Sequence, residues 1–128
     1  MGQPVVHFEI IGNDPGTLWG YYGELFDWEF DTGDATTEQV SQPGMYGFVE
    51  GRTTGDGNGI NGGIGGGRGY EHRVLFYVGV PDVESALQKA ERLGGTRLMG
   101  PEPESGDFAV GQFIDPQGNV VGVAGPSA

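Results

Sequence analysis

Two passages of this chain repeat one another at an offset of 68 residues, and that repetition limits the fold more than any other feature. The first opens with VVHFEII, residues 5–11, a short β-branched run bounded by Gly12-Asn13, which predicts a strand. Asp14-Pro15 follows. An aspartate there accepts hydrogen bonds from the unpaired amides of a helix start. Proline in the first helical turn loses nothing, because its N–H would be unpaired anyway. Leu18, Tyr21, Tyr22 and Leu25 recur at helical spacing, so a helix over 15–26 is predicted with that stripe facing inward. From Arg73 the pattern returns: RVLFYVGV as a strand, Asp82 as a cap, and Val83, Ala86, Leu87, Ala90 and Leu93 as a stripe that Gly94-Gly95 ends. Asp14 falls on Asp82, Leu18 on Ala86, Tyr22 on Ala90 and Leu25 on Leu93 without a gap. Few identities survive, but element order, cap position and stripe phase all agree.

Short strand-like pieces follow each helix. They lie at 28–32, 45–50 and 60–65 in the first half, and at 96–100, 108–114 and 119–124 in the second. The last two flank Asp115-Pro116-Gln117-Gly118-Asn119, whose proline and glycine suit a hairpin built on a type I turn. Each half therefore reads as strand, helix, three strands. The expectation is one α+β domain of two βαβββ modules, residues 4–66 and 72–125, with loops over 31–44 and 51–70.

The absence of cysteine removes disulfides, thiolate nucleophiles and thiolate metal sites. No basic segment precedes an apolar run at the N-terminus, and no apolar stretch approaches the roughly 20 residues of a membrane helix, so a cytoplasmic protein is expected. The formal net charge of −12 argues against nucleic acid, whose phosphates need a basic face. It serves solubility and also favours a cationic ligand. Ten of the 27 glycines lie between Gly51 and Gly69.

VVHFEIIGNDPGTLWGYYGELFDWEF resembles the opening of vicinal-oxygen-chelate proteins, the superfamily of glyoxalases, bleomycin-resistance proteins and extradiol dioxygenases. VLFYVGVPDVESALQKAERLGG is similar to the start of their second module, and FIDPQGNVVGV to their closing hairpin. The resemblance implies that the strands form an open, curved mixed sheet of two half-barrels, with helices outside and a pocket between the modules. By strand alternation, His7 and Glu9 then point into the pocket and Phe8 and Ile10 pack under the first helix. Leu75 and Tyr77 face the pocket, and Phe76 and Val78 the second helix. Gln112, the one strongly polar side chain on strand 108–114, joins the pocket set; Tyr46 and Phe48 line either pocket or core.

Catalytic members of that superfamily bind a divalent metal through His and Glu on the first and last strands of each module. His7 occupies one such position. Leu75 and Gly122 stand at two others, and the fourth falls in GINGGIGG, which holds no carboxylate or imidazole. One position of four is filled, whereas stable catalytic sites need about three protein ligands. No metal and no cofactor are expected.

Gly57-x-Gly59-x-x-Gly62 matches a dinucleotide fingerprint but lacks the strand before it and the helix after it. It reads instead as a flexible lip, or as a pocket wall where absent side chains make room for a ligand. Ser41, Ser85, Ser105 and Ser127 have no nucleophile-elbow context, and nothing fixes the separation of Glu9 and Glu50 as a carboxylate pair. Two functions follow. One is a metal-free protein that binds a small molecule through His7, Glu9, Tyr46, Tyr77 and Gln112, as bleomycin-resistance-type members do, with a homodimer compatible. The other is a lyase, isomerase or dioxygenase-type enzyme, either metal-dependent or using His7 and Glu9 as an acid–base pair.

Overall fold

The computed structural model describes residues 1–33, 36–104 and 107–127. The chain forms two compact units, His7–Val74 and Met1–Val6 with Leu75–Ala128. The α+β class agrees with expectation.

The first unit holds most of β1 (Val5–Gly12), then α1 (Pro15–Phe26), β2 (Gly47–Val49), a 3-10 turn (Gly51–Thr53) and β3 (Asn61–Gly66). β3 runs parallel to β1 and antiparallel to β2, with Glu9 and Phe48 both opposite Gly63. The strand expected over 28–32 shrinks to one bridge between Asp31 and Phe48. Its carboxylate accepts the Gly33 amide at 2.8 Å, which turns the chain away after one pairing. The strand-like piece read at 60–65, inside a glycine-rich stretch otherwise expected as loop, forms as β3, because β1 and β2 satisfy its amides on both sides.

Asp14 caps α1, accepting from the Thr17 amide at 3.3 Å and its hydroxyl at 2.7 Å. The helix face is rotated from the expected stripe. Pro15 is buried and Leu18, Trp19 and Tyr22 half-buried, but Tyr21 and Leu25 are 60% and 55% exposed. The cause is Trp19. Its indole N–H donates to the Ile64 carbonyl at 2.8 Å, anchoring the helix over β3. Gly47 leaves the space: a Cβ there would lie 2.8 Å from the Trp19 indole nitrogen.

The second unit contains β4 (Arg73–Gly79, apart from its first two residues), α2 (Val83–Arg92), β5 (Thr96–Pro103), β6 (Phe108–Ile114) and β7 (Val120–Pro126). β4 and β7 are parallel, while β7–β6 and β6–β5 are antiparallel. This is the complete βαβββ order. Asp82 caps α2 through the Ser85 amide and hydroxyl at 3.3 and 3.1 Å, repeating Asp14 and Thr17 at the same offset. Val83 and Leu87 pack on Ala109 and Val123, joined by Val80, Ala86 and Phe113. Helix α2 thus rides over β5–β7 and not over β4. Phe76, expected beneath it, is consequently 45% exposed, and Val78 is half-buried. Arg97 on β5 bridges to Glu84 and Glu91 of α2 and holds the Glu84 carboxyl down at about 2.

The closing hairpin forms as its residues predict. Asp115 accepts the backbone amides of Gln117 and Asn119 at 2.9 Å and the Asn119 side-chain amide at 2.9 Å, while Gly118 adopts φ 96°. Those bonds, led by the Asn119 side chain, lower the Asp115 pKa. No described helix is long and apolar enough to cross a membrane.

Candidate functional site

Alternation along β1 puts His7, Glu9 and Ile11 on one face and Phe8 and Ile10 on the other. Glu9 is 3% exposed; a carboxylate so enclosed requires a donor. Tyr46, just before β2 and also 3% exposed, supplies one: its hydroxyl meets Glu9 Oε1 at 2.8 Å. The same hydroxyl lies 2.8 Å from His7 Nε2. Three residues separated by up to 39 positions thus form one hydrogen-bonded chain, His7–Tyr46–Glu9. Phe48 meets the Tyr46 ring edge-on at 4.8 Å and stands 6.2 Å from the His7 ring. Burial pushes the His7 pKa down to about 4, so its imidazole is neutral at pH 7.

The loop that delivers Tyr46 is tied to the end of β3. Ser41 Oγ accepts the Gly66 amide at 2.9 Å, and the Gln42 amide donates to the Gly66 carbonyl at 2.8 Å. Ser41 is fully buried in this role. Sequence reasoning weighed it only as a nucleophile; an isolated serine beside Gln42-Pro43-Gly44 carries no signal for a tie made 25 residues away.

In the second unit, Gln112 Nε2 donates to the Tyr77 hydroxyl at 2.7 Å, and both side chains are buried. Tyr77 sits opposite Gly122 in the β4–β7 ladder, as Glu9 sits opposite Gly63 in the β1–β3 ladder. The five residues picked from sequence therefore fall into two groups: His7, Glu9 and Tyr46 in one unit, Tyr77 and Gln112 in the other.

The glycines do not open room for a ligand in the way expected. A Cβ at Gly63 would lie 2.1 Å from the Tyr46 ring, one at Gly62 1.9 Å from the Phe8 ring, and one at Gly122 2.3 Å from the Tyr77 ring. The chain's own aromatics use the space. Glu50, the other carboxylate weighed with Glu9, pairs with Arg52 at the surface.

Among the described residues, no group of three or more His, Cys, Asp or Glu is placed to hold a metal ion. Of the four ligand positions, Leu75 and Gly122 offer no donor atom, and the fourth falls in the GINGGIGG stretch that forms β3; the Tyr77 ring fills the side-chain space of Gly122, and the Tyr46 ring that of Gly63 on β3. The residues present do not fit a three-ligand metal site.

An open groove of about 460 Å³ lies elsewhere on the first unit, between the end of β1, the start of α1 and residues 72–74. His7, Glu9 and Tyr46 do not line it, and its Asp14 and Thr17 are engaged in capping α1.

Residues 7–124 match the family model described as a glyoxalase-like domain. No curated protein sequence matches the chain. Among solved structures, a variant of methylmalonyl-CoA epimerase from Streptomyces coelicolor, in complex with 2-nitronate-propionyl-CoA, superposes with a TM-score of 0.69 at 15% identity, covering 98% of this chain and 99% of that one. A hypothetical protein from Bacillus halodurans gives 0.68 at 12% identity, covering 100% and 97%. Methylmalonyl-CoA epimerase from Mycobacterium tuberculosis gives 0.66 at 9% identity, covering 97% and 88%. At these identities the likeness is one of fold.

Proposed function

The chain belongs to the glyoxalase-like domain family, and from that premise we propose that it binds a small organic molecule without a resident metal ion, through the polar residues His7, Glu9 and Tyr46 of the first unit. The observation that carries this reading is the filling of Gly122, where the resemblance implies a metal-binding side chain, by Tyr77, and of Gly63 on β3 by Tyr46. Hydrogen-bonding phenols stand there in place of ligand carboxylates. The Streptomyces coelicolor epimerase was solved with a CoA derivative. A polyanion of that kind suits this chain poorly, because the net charge is −12. A neutral or cationic ligand fits better.

One observation favours an acid–base enzyme instead: the unbroken chain from His7 through Tyr46 to Glu9. A histidine with its pKa near 4 is a weak base at neutral pH, so it contributes little to proton abstraction there. Binding is the better reading. Elemental analysis of protein purified without chelator, paired with a thermal-shift screen of cationic and anionic small molecules, tests it. Shifts that persist in EDTA support the proposal; about one metal per chain, lost on His7→Ala, overturns it.

A further inference from the structure

We propose that Asn58 is a site of spontaneous chemical modification, converting to isoaspartate and aspartate in the folded protein, while its neighbours Asp56 and Asn61 are held back by the bonds they make.

Three acid or amide side chains precede glycine within seven residues, in Asp56-Gly57-Asn58-Gly59-Ile60-Asn61-Gly62. Such pairs are reactive because the glycine amide nitrogen can attack the side-chain carbonyl carbon of the residue before it. Glycine has no Cβ to obstruct that approach and reaches the backbone angles the ring needs. At an asparagine the attacking nitrogen gives up its proton and bonds to Cγ, and the side-chain nitrogen leaves as ammonia. A cyclic succinimide remains. Water then adds to one of its two carbonyls. Addition at Cγ restores the ordinary linkage as aspartate; addition at the main-chain carbonyl routes the chain through the side chain as isoaspartate. Water is the only co-reactant, and nothing is oxidised or reduced. Either product carries a negative charge that asparagine lacks, and isoaspartate adds a methylene to the main chain before Gly59.

The sequence makes all three pairs candidates, and the structure separates them. Asn61 opens β3. Its Oδ1 accepts the Gly51 amide at 2.8 Å, and Gly62 is buried in the sheet opposite Phe8 and Val49. Extended backbone carries the Gly62 nitrogen away from the Asn61 side chain, so the ring closes only if strand pairing breaks. At Asp56 the nucleophile is engaged, because the Gly57 amide donates to the Thr54 carbonyl at 2.8 Å. The Asp56 side chain accepts the Asn58 amide at 3.2 Å, and a carboxylate is a poorer electrophile than an amide.

Asn58 has neither restraint. It and Gly59 are both exposed, in the connection between the 3-10 turn and β3. Among the described residues, no hydrogen bond holds the Asn58 side chain or the Gly59 amide. Gly59 does pack closely, since a Cβ there would lie 2.1 Å from Thr54 Oγ1. That contact keeps position 59 a glycine and leaves its amide nitrogen unbonded.

The test is to hold the full, folded chain in warm, mildly alkaline buffer and follow it by peptide mapping. Tandem mass spectrometry places each amide-to-acid change at 58 or 61, and chromatography separates isoaspartyl from aspartyl peptides. Asn58 should convert several-fold faster than Asn61 and than Asp56 isomerises, with isoaspartate among its products. The rate should rise with pH, because the attacking nitrogen must lose its proton. A parallel sample in concentrated urea should bring the two asparagines to similar rates. Asn61 keeping pace with Asn58 in the folded chain overturns the proposal, as does aspartate without isoaspartate at 58. An equally large preference for Asn58 in urea also overturns it, since the fold would then play no part in the choice.

Discussion

A Cβ on Gly63 would fall 2.1 Å from Cε1 of Tyr46. The two residues are 17 positions apart in the chain, yet a side chain at position 63 and the Tyr46 ring compete for the same space. Gly63→Ala should destabilise the protein by about 1–3 kcal/mol, the usual range for overpacking a filled site. Combining it with Tyr46→Ala should cost less than the two single changes added together, because removing the ring vacates the contested space. Urea unfolding of the three variants measures this. Strict additivity would mean the ring does not press on β3.

Stability should fall on acidification through a contribution from His7. Its folded pKa, about 4, lies below its unfolded value of 6.5, so the unfolded chain takes up the proton first. The contribution is complete above pH 6.5, declines as pH falls through the window from 6.5 to 4, and levels off below it. Its size is about 3 kcal/mol, from the 1.36 kcal/mol carried by each pKa unit. Denaturant midpoints of wild type and His7→Gln at pH 7 and pH 4.5 isolate it from the carboxylates that titrate nearby. Equal acid sensitivity of the two proteins would refute it.

Glu9→Gln and Phe8→Ala should separate the two faces of β1. Phe8 packs its ring 5.1 Å from Trp28, and its loss should cost about 3 kcal/mol. The glutamine is isosteric with glutamate and its carbonyl still accepts from Tyr46, so its cost should stay near 1 kcal/mol. Any cationic ligand should bind Glu9→Gln more weakly. Thermal melts with equal damage in both variants would make Glu9 a structural residue.

The repeated caps should behave alike. Asp14→Ala and Asp82→Ala each remove a carboxylate that holds an amide and a hydroxyl three residues on, and each should cost about 1 kcal/mol. The double variant should be close to additive, since the two caps share no partner. Circular dichroism melts give the comparison; a cost confined to one helix would break the equivalence of the repeat.

Much of the fold was legible because its signals are local. Asp14-Pro15, Asp82 and Asp115-Pro116-Gln117-Gly118-Asn119 place helix starts and a hairpin within five residues of themselves. What escaped depends on partners distant in sequence. The face of α1 is set by a bond from Trp19 to the Ile64 carbonyl, and period alone could not choose it over Tyr21 and Leu25. Phe76 was placed under a helix that covers other strands. At the site, alternation put His7 and Glu9 on one face, and the structure links them through Tyr46, which stood undecided between pocket and core. Its role became visible only with the glycines of β3 beneath its ring, because a missing side chain in sequence does not say what fills the gap.

That strand has a kinetic consequence. β3 has six residues, and Ile64 is its only large buried side chain; its hold on the unit comes chiefly from backbone bonds to β1 and β2. Detaching it releases four glycines into their full conformational freedom, which offsets part of the cost of uncovering the Phe8 and Tyr46 rings seated on them, so the free energy of local opening should be low beside that of β6. Native-state hydrogen exchange should find the Gly62–Gly66 amides leaving protection well before global unfolding. Whenever β3 opens, the floor under Tyr46 goes with it and the chain from His7 to Glu9 loosens. A ligand that needs the assembled form should then suppress that opening, to a degree set by its concentration relative to its Kd.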